Sequence, residues 1–134
     1  VPRYLLDTSA LLAHFRKEAG WEVVSAIFDD ADAEVLVCSV TLAEFARRLA
    51  ALGYATKLAR EMAATYRLLM NEIVAVDESI ALAAFDISAR TPERLPLVDS
   101  FIAAAARAQG AVLVHRDSHL ASIPAEILEQ RVLR

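Results

Sequence analysis

Four carboxylates occupy positions from which they could do chemistry together: Asp7, Glu44, Asp99 and Asp117. Asp7 directly follows the apolar run Tyr4–Leu6, and Leu11, Leu12 and Phe15 then recur at helical spacing. Asp117 comes shortly after a second run, Ala111–Val114, while Glu44 and Asp99 fall in what read as first turns of helices. In an open α/β sheet the carboxyl ends of the strands border the crevice where ligands bind. Each acid also has a structural explanation. Asp7 and Asp117 are placed like N-caps. Thr41 and Glu44 fit a capping box. Asp99 would sit favourably near the positive end of its helix. Together they pose an electrostatic problem, because two unit charges ~4 Å apart repel by roughly 4 kcal/mol at an effective dielectric of ~20. Shared protons or a cation would relieve it. Oxygen donors without Cys or closely paired His suit Mg²⁺ or Mn²⁺, and such a centre activates water and clamps a phosphate, which is phosphodiester hydrolysis.

Other residues near these acids admit two readings. His115 and His119 flank Asp117; either could hold a phosphate or shuttle a proton, or simply pack. His14, on the first helix, is read as structural or partner-facing. Arg16, Arg47, Arg48, Lys57, Arg60 and Arg116 are candidates for phosphate-backbone contacts, against the alternative of a solvated helix face. The run Asp29-Asp30-Ala31-Asp32 reads as a solvated helix end.

The elements that must position these groups follow from hydrophobic patterning and breakers. Strands are expected at Tyr4–Leu6, Val35–Cys38, Ile73–Val76 and Ala111–Val114, with a short fifth from the tail around Ile127, Leu128, Val132 and Leu133. Helices are expected from Thr8, from Trp21, from Ser39 to Gly53, from about Ala55 to Asn71 with a stripe of Leu58, Met62, Tyr66, Leu69 and Met70, from Asp77 to Arg90, and from Pro96 to Gln109. Strands alternating with helices imply a parallel sheet covered on both faces, a three-layer α/β/α domain. The alanine run Ala103–Ala106 suggests a helix packed close to that sheet.

Bulk properties bound the rest. At 134 residues, 57% hydrophobic and 24% charged, the chain is expected to be one globular domain, 1–134. No apolar run approaches ~18 residues, which argues against a membrane span. With a strand expected at the very start, no signal peptide is expected before the fold, and a single Cys, Cys38, fits a reducing cytoplasm. A net charge of −4, with 12 Arg and two Lys among the basic residues, disfavours broad adhesion to nucleic acid while allowing a local basic patch.

The segments Asp7-Thr8-Ser9-Ala10-Leu11-Leu12, Thr41-Leu42-Ala43-Glu44-Phe45, Leu95 to Ala105 around Asp99, and Val112 to Asp117 resemble the four acidic motifs of PIN domains, with the VapC-type ribonuclease toxins of toxin–antitoxin pairs most similar. The resemblance implies a Mg²⁺- or Mn²⁺-dependent endoribonuclease built on a parallel five-stranded sheet. It makes Asp7, Glu44 and Asp99 the main metal-site acids, with Asp117 completing the site and Ser9 supporting the first acid. It implies an antitoxin partner and a homodimer, with a groove on the first, second and fourth helices. The fourth motif departs from the family pattern, which often has Thr two places before the acid and Asp-Phe two and three places after it; here those positions hold His115, His119 and Leu120.

Two other classes of function compete. One is a catalytically silent PIN-like binding module whose acids only cap helices. The other is a phosphatase using Asp7 as nucleophile, although Ser9 stands where the common D-x-D arrangement needs its second acid.

Overall fold

A computed structural model describes residues 1–134. In chain order the elements are β1 (Arg3–Leu6), α1 (Thr8–Arg16), α2 (Trp21–Asp29), β2 (Glu34–Cys38), α3 (Ser39–Ala51), α4 (Thr56–Leu69), β3 (Glu72–Val74), α5 (Glu78–Arg90), α6 (Leu97–Ala108), β4 (Val112–His115), α7 (Ser118–Ala121) and β5 (Gln130–Val132). The five strands form one sheet in the order β3-β2-β1-β4-β5, and every pair is parallel.

Period-two alternation sorts the strand side chains between two cores. Leu5, Leu36 and Leu113 join α5 and α6 on one face. Leu6, Val35, Val37 and Val114 join α1 to α4 on the other. Both faces are therefore dry, which is why the strands read as continuous apolar runs. Ala103 to Ala106 are all buried and let α6 lie close against the sheet, as the sequence suggests. On the opposite face Phe15, Phe28, Phe45 and Tyr66 meet largely edge to face. His14 packs among them, with Nδ1 2.6 Å from the Tyr66 hydroxyl, and so is a structural residue.

Several boundaries differ from expectation for identifiable reasons. β3 is Glu72–Val74, because its partner β2 ends at Cys38, opposite Val74, and the ladder stops there. The buried face of α4 is Ala59, Ala63, Tyr66 and Met70; Leu58 and Leu69 stand exposed, since small alanines let α3 and α4 approach and turn the larger side chains outward. α7 is a single capped turn, too short to announce itself by periodicity. The tail is anchored where Leu133 packs against Gly20; a Cβ on Gly20, whose φ is 89°, would lie 2.6 Å from that of Leu133.

The capping box expected at Thr41 and Glu44 does not form. α3 begins immediately after β2 with no side-chain cap, so Glu44 lies in its second turn and Thr41 Oγ1 is buried without a partner. Phe45, next to Glu44, is fully buried. Burying such a ring contributes about 1.5–3 kcal/mol, and it fixes the rotation of α3 that leaves Glu44 free for another contact.

Candidate metal centre

The sheet order places β1 beside β2 on one side and β4 on the other, so the chain reverses direction across the sheet at the β1–β4 junction. Crevices at such switch points are where α/β sheets bind ligands. Leu6 lies opposite Val114 at the carboxyl end of this pair, and the Asp7 amide donates to the Val114 carbonyl at 3.2 Å. Asp7 and the loop carrying Asp117 therefore emerge side by side.

Asp7 is 3% exposed and caps α1, accepting from the Ala10 amide at 2.8 Å. The Ser9 hydroxyl lies 2.7 and 2.8 Å from its two oxygens and accepts from the Arg116 amide at 2.8 Å. Ser9 thus ties the start of α1 to the β4–α7 loop and holds the Asp7 carboxylate in place. Burial drives the Asp7 carboxyl up to about 7, against the lowering effect of Ser9 and Ala10, and the charge on Asp117 adds to the rise.

Asp99, in the first turn of α6, is 9% exposed. Burial raises it to about 6, with further contributions from the charges of Asp117 and Glu44 and an opposing one from His119. Glu44 is held by Thr8, whose hydroxyl donates to Oε1. The Asp117 carboxylate caps α7, accepting from the amides of His119 at 2.7 Å and Leu120 at 3.2 Å. The ligand atoms of Asp99, Asp117 and His119 all lie within 4.8 Å of one another. The four expected acids thus form one electrostatically linked group, Asp7 through Asp117 to Asp99 and on to Glu44. Capping and this linkage coexist: both strand-end acids cap helices, and their charges couple to each other.

The two histidines part company. His115 is fully buried, with its Nε2 2.7 Å from Gln130 Oε1 and its Nδ1 accepting from the Asp117 amide at 3.0 Å. The Gln130 amide nitrogen donates to the Ile123 carbonyl at 3.0 Å, so its oxygen faces the ring and accepts from it. Both bonds require the neutral tautomer protonated on Nε2, and burial lowers the imidazole's proton affinity. With both nitrogens engaged, His115 holds the loop of Asp117 and has none left for a phosphate or a proton shuttle. His119 remains in the site, its Nδ1 3.4 Å from Asp117 Oδ1 and 4.0 Å from Asp99 Oδ2.

The donor set fits a divalent cation. Asp7 and Asp99 are buried acids raised by desolvation and by their neighbours' charge, and their only nearby basic partner is the His119 imidazole at Asp99. Asp7, Asp99, Asp117 and Glu44 would hold such an ion. The expected basic residues are only partly gathered here. Arg47 and Arg48 share a hollow of about 310 Å³ with Glu44. Arg116 and Arg16 lie 3.6 and 3.9 Å from Glu18, which bridges them. Arg60 instead lines a hollow of about 470 Å³ between α3 and α4, and Lys57 is exposed on α4.

Two supporting residues escaped the reading of the sequence. Thr8 carried a signal, a hydroxyl beside the first acid at a helix start. Gln130 carried none, because its role depends on β5 pairing with β4.

The PIN domain family model matches residues 4–126. No curated protein sequence is significantly similar to the chain. Among solved structures, DNA-bound VapBC from Salmonella typhimurium superposes with a TM-score of 0.77 at 17% identity, covering 98% of each chain. VapBC2 from Rickettsia felis, bound to a promoter DNA fragment, gives 0.76 at 15% identity over 98% of this chain and 99% of that one. The Mycobacterium tuberculosis toxin VapC20, described as cleaving the sarcin–ricin loop, gives 0.69 at 19% identity over 89% of this chain and 93% of its own.

Proposed function

Since the chain belongs to the PIN domain family, we propose that it is a Mg²⁺- or Mn²⁺-dependent endoribonuclease, the VapC-type toxin of a toxin–antitoxin pair. What supports this reading is the grouping of Asp99 and Asp117 with His119, their ligand atoms within 4.8 Å of one another, together with the charge coupling of Asp7 to Asp117 and of Glu44 to Asp99 beside the β1–β4 switch point. When bound, the ion supplies Lewis acidity that activates water and neutralises charge on the phosphate. The chain's own residues do the rest. Ser9 and the Ala10 amide orient Asp7, Thr8 orients Glu44, and His115 sets the loop that presents Asp117. Arg47 and Arg48, which share a hollow with Glu44, are the basic residues best placed to hold RNA phosphates. Because the RNA 2′-hydroxyl need not take part, the products expected are a 5′-phosphate and a 3′-hydroxyl.

The proposed partners follow from the same reading. Solved relatives named VapBC support an antitoxin protein as a binding partner. The apolar residues of α1 and α2 expected to line its groove are largely spent on the core, whereas α4 leaves Leu58, Leu68 and Leu69 exposed. The hollow that remains is lined by Leu42, Ala43, Ala46, Ala63 and Ala64 between α3 and α4, with Arg60 and Arg67 alongside. Leu82 and Phe85 on α5 and Leu97 on α6 are 65, 70 and 68% exposed, which supports a homodimer through that layer. No helix is long and apolar enough to cross a membrane, and action on RNA in the cytoplasm is part of the proposal.

The test is cleavage of total RNA with Mg²⁺ or Mn²⁺ by the native protein and by Asp7→Asn and Asp99→Asn, with sequencing of the new 5′ ends. Cleavage by the native protein alone supports the reading. Equal turnover by all three removes the assigned site. A silent binding module, favoured by the real caps at Asp7 and Asp117, predicts no turnover and no metal binding. A phosphatase nucleophile is poorly served by Asp7, which is 3% exposed and bonded through both oxygens.

A further inference from the structure

We propose that His119 is itself a ligand of the divalent ion, through Nδ1, and that it tilts the centre toward Mn²⁺ over Mg²⁺. This rests on the reading above that the acids hold such an ion.

The geometry is the starting point. Ligand atoms ~2.1 Å from an octahedral ion lie ~3.0 Å apart when adjacent and ~4.2 Å apart when opposite. His119 Nδ1 lies 3.4 Å from Asp117 Oδ1 and 4.0 Å from Asp99 Oδ2, inside that span. Its backbone is fixed by the same carboxylate, since the His119 amide donates to Asp117 Oδ1 at 2.7 Å. Asp117 and His119 are therefore delivered as a pair by one capped turn. The His119 side chain is 56% exposed, so nothing packed around it holds it away from an ion placed among the three donors. His115 does not compete for this role, because both its nitrogens are engaged.

The consequence is selectivity. Mg²⁺ is a hard ion that takes oxygen and keeps its water. Imidazole nitrogen is a poorer donor to it than to first-row transition ions. The acids Asp7, Glu44, Asp99 and Asp117 alone would suit either ion; one nitrogen added to them favours Mn²⁺. The competing arrangement is an imidazolium that pairs with Asp99 and Asp117 in place of a metal, and it gives the opposite outcome below.

The experiment is pulsed EPR on the full chain loaded with Mn²⁺, read for ¹⁴N coupling, together with Mn²⁺ and Mg²⁺ titrations of the native protein, His119→Gln and His119→Asp. Directly bound nitrogen in the native protein, lost in His119→Gln while Mn²⁺ still binds at least about tenfold more weakly, is expected. His119→Asp should move the Mn²⁺-to-Mg²⁺ affinity ratio toward Mg²⁺. Bound Mn²⁺ without nitrogen coupling, or coupling that persists in His119→Gln, overturns the inference and leaves the metal centre standing. No Mn²⁺ binding by the native protein overturns both.

Discussion

The Asp117 amide donates to His115 Nδ1 at 3.0 Å, so a fully buried imidazole sets the backbone of the loop that carries the fourth acid. Replacing His115 with Ala would leave that amide and the Gln130 oxygen without their partner. A buried polar group so orphaned costs about 1–3 kcal/mol, and residues that orient a metal ligand typically carry about 10–100-fold in metal affinity. His115→Ala should show both losses, the first by urea unfolding and the second by Mn²⁺ titration. Nitrogen NMR of the native protein should find the ring neutral and protonated on Nε2.

Burial raises Asp7 to about 7 and Asp99 to about 6. Their charged forms are thus disfavoured in the fold relative to the unfolded chain, where Asp titrates near its ordinary value of about 4. The stability this contributes is complete below about pH 4 and is lost as pH rises through 6 and 7, when the unfolded chain releases protons that the fold retains. Metal-free protein should therefore unfold more easily at pH 8 than at pH 5. Asp7→Asn, which keeps an oxygen for the Ala10 amide, should regain on the order of 3 kcal/mol at pH 8. Added Mn²⁺ should raise the melting temperature more at pH 8 than at pH 5, and chelator should reverse it.

Thr8 holds Glu44 across the α1–α3 junction through its hydroxyl. A hydrogen bond to a charged group contributes about 1.5–3 kcal/mol. Thr8→Val should lower RNA cleavage roughly tenfold or more and lower the melting temperature by several degrees, while Thr8→Ser should preserve activity. Unchanged activity in Thr8→Val would mean that Glu44 needs no orienting partner.

Arg47 and Arg48 lie with Glu44 in one hollow, whereas Lys57 is an exposed residue of α4. Each lost phosphate contact should reduce the salt dependence of single-strand binding by about 0.7 in the logarithmic slope. The pair Arg47→Gln and Arg48→Gln should weaken RNA binding and flatten that slope; Lys57→Gln should do neither.

The parts legible in the sequence were those set by local chemistry. Buried strands announced themselves as apolar runs, and the acids directly after β1 and shortly after β4 followed from them. Asp77 and Asp117 read as caps and are caps. What was hidden depended on contacts distant in the chain. Thr41 and Glu44 have capping-box spacing, yet α3 starts three residues too early for it, because β2 runs into α3 without a loop. His115 looked like a candidate for chemistry until β5 supplied Gln130, fifteen residues on, to occupy its other nitrogen. The alanine-lined face of α4 lost to Leu58 and Leu69 in any hydrophobicity count, although close helix packing selects the smaller side chain.

Mn²⁺ titration calorimetry of the native protein beside Asp99→Asn, at pH 7.5, bears most directly on the claim that separate acids share an ion. Stoichiometric binding by the native protein, weakened by about two orders of magnitude or abolished in a folded Asp99→Asn, is the expected result. Equal affinity in the two, or no heat of binding in either, would contradict it.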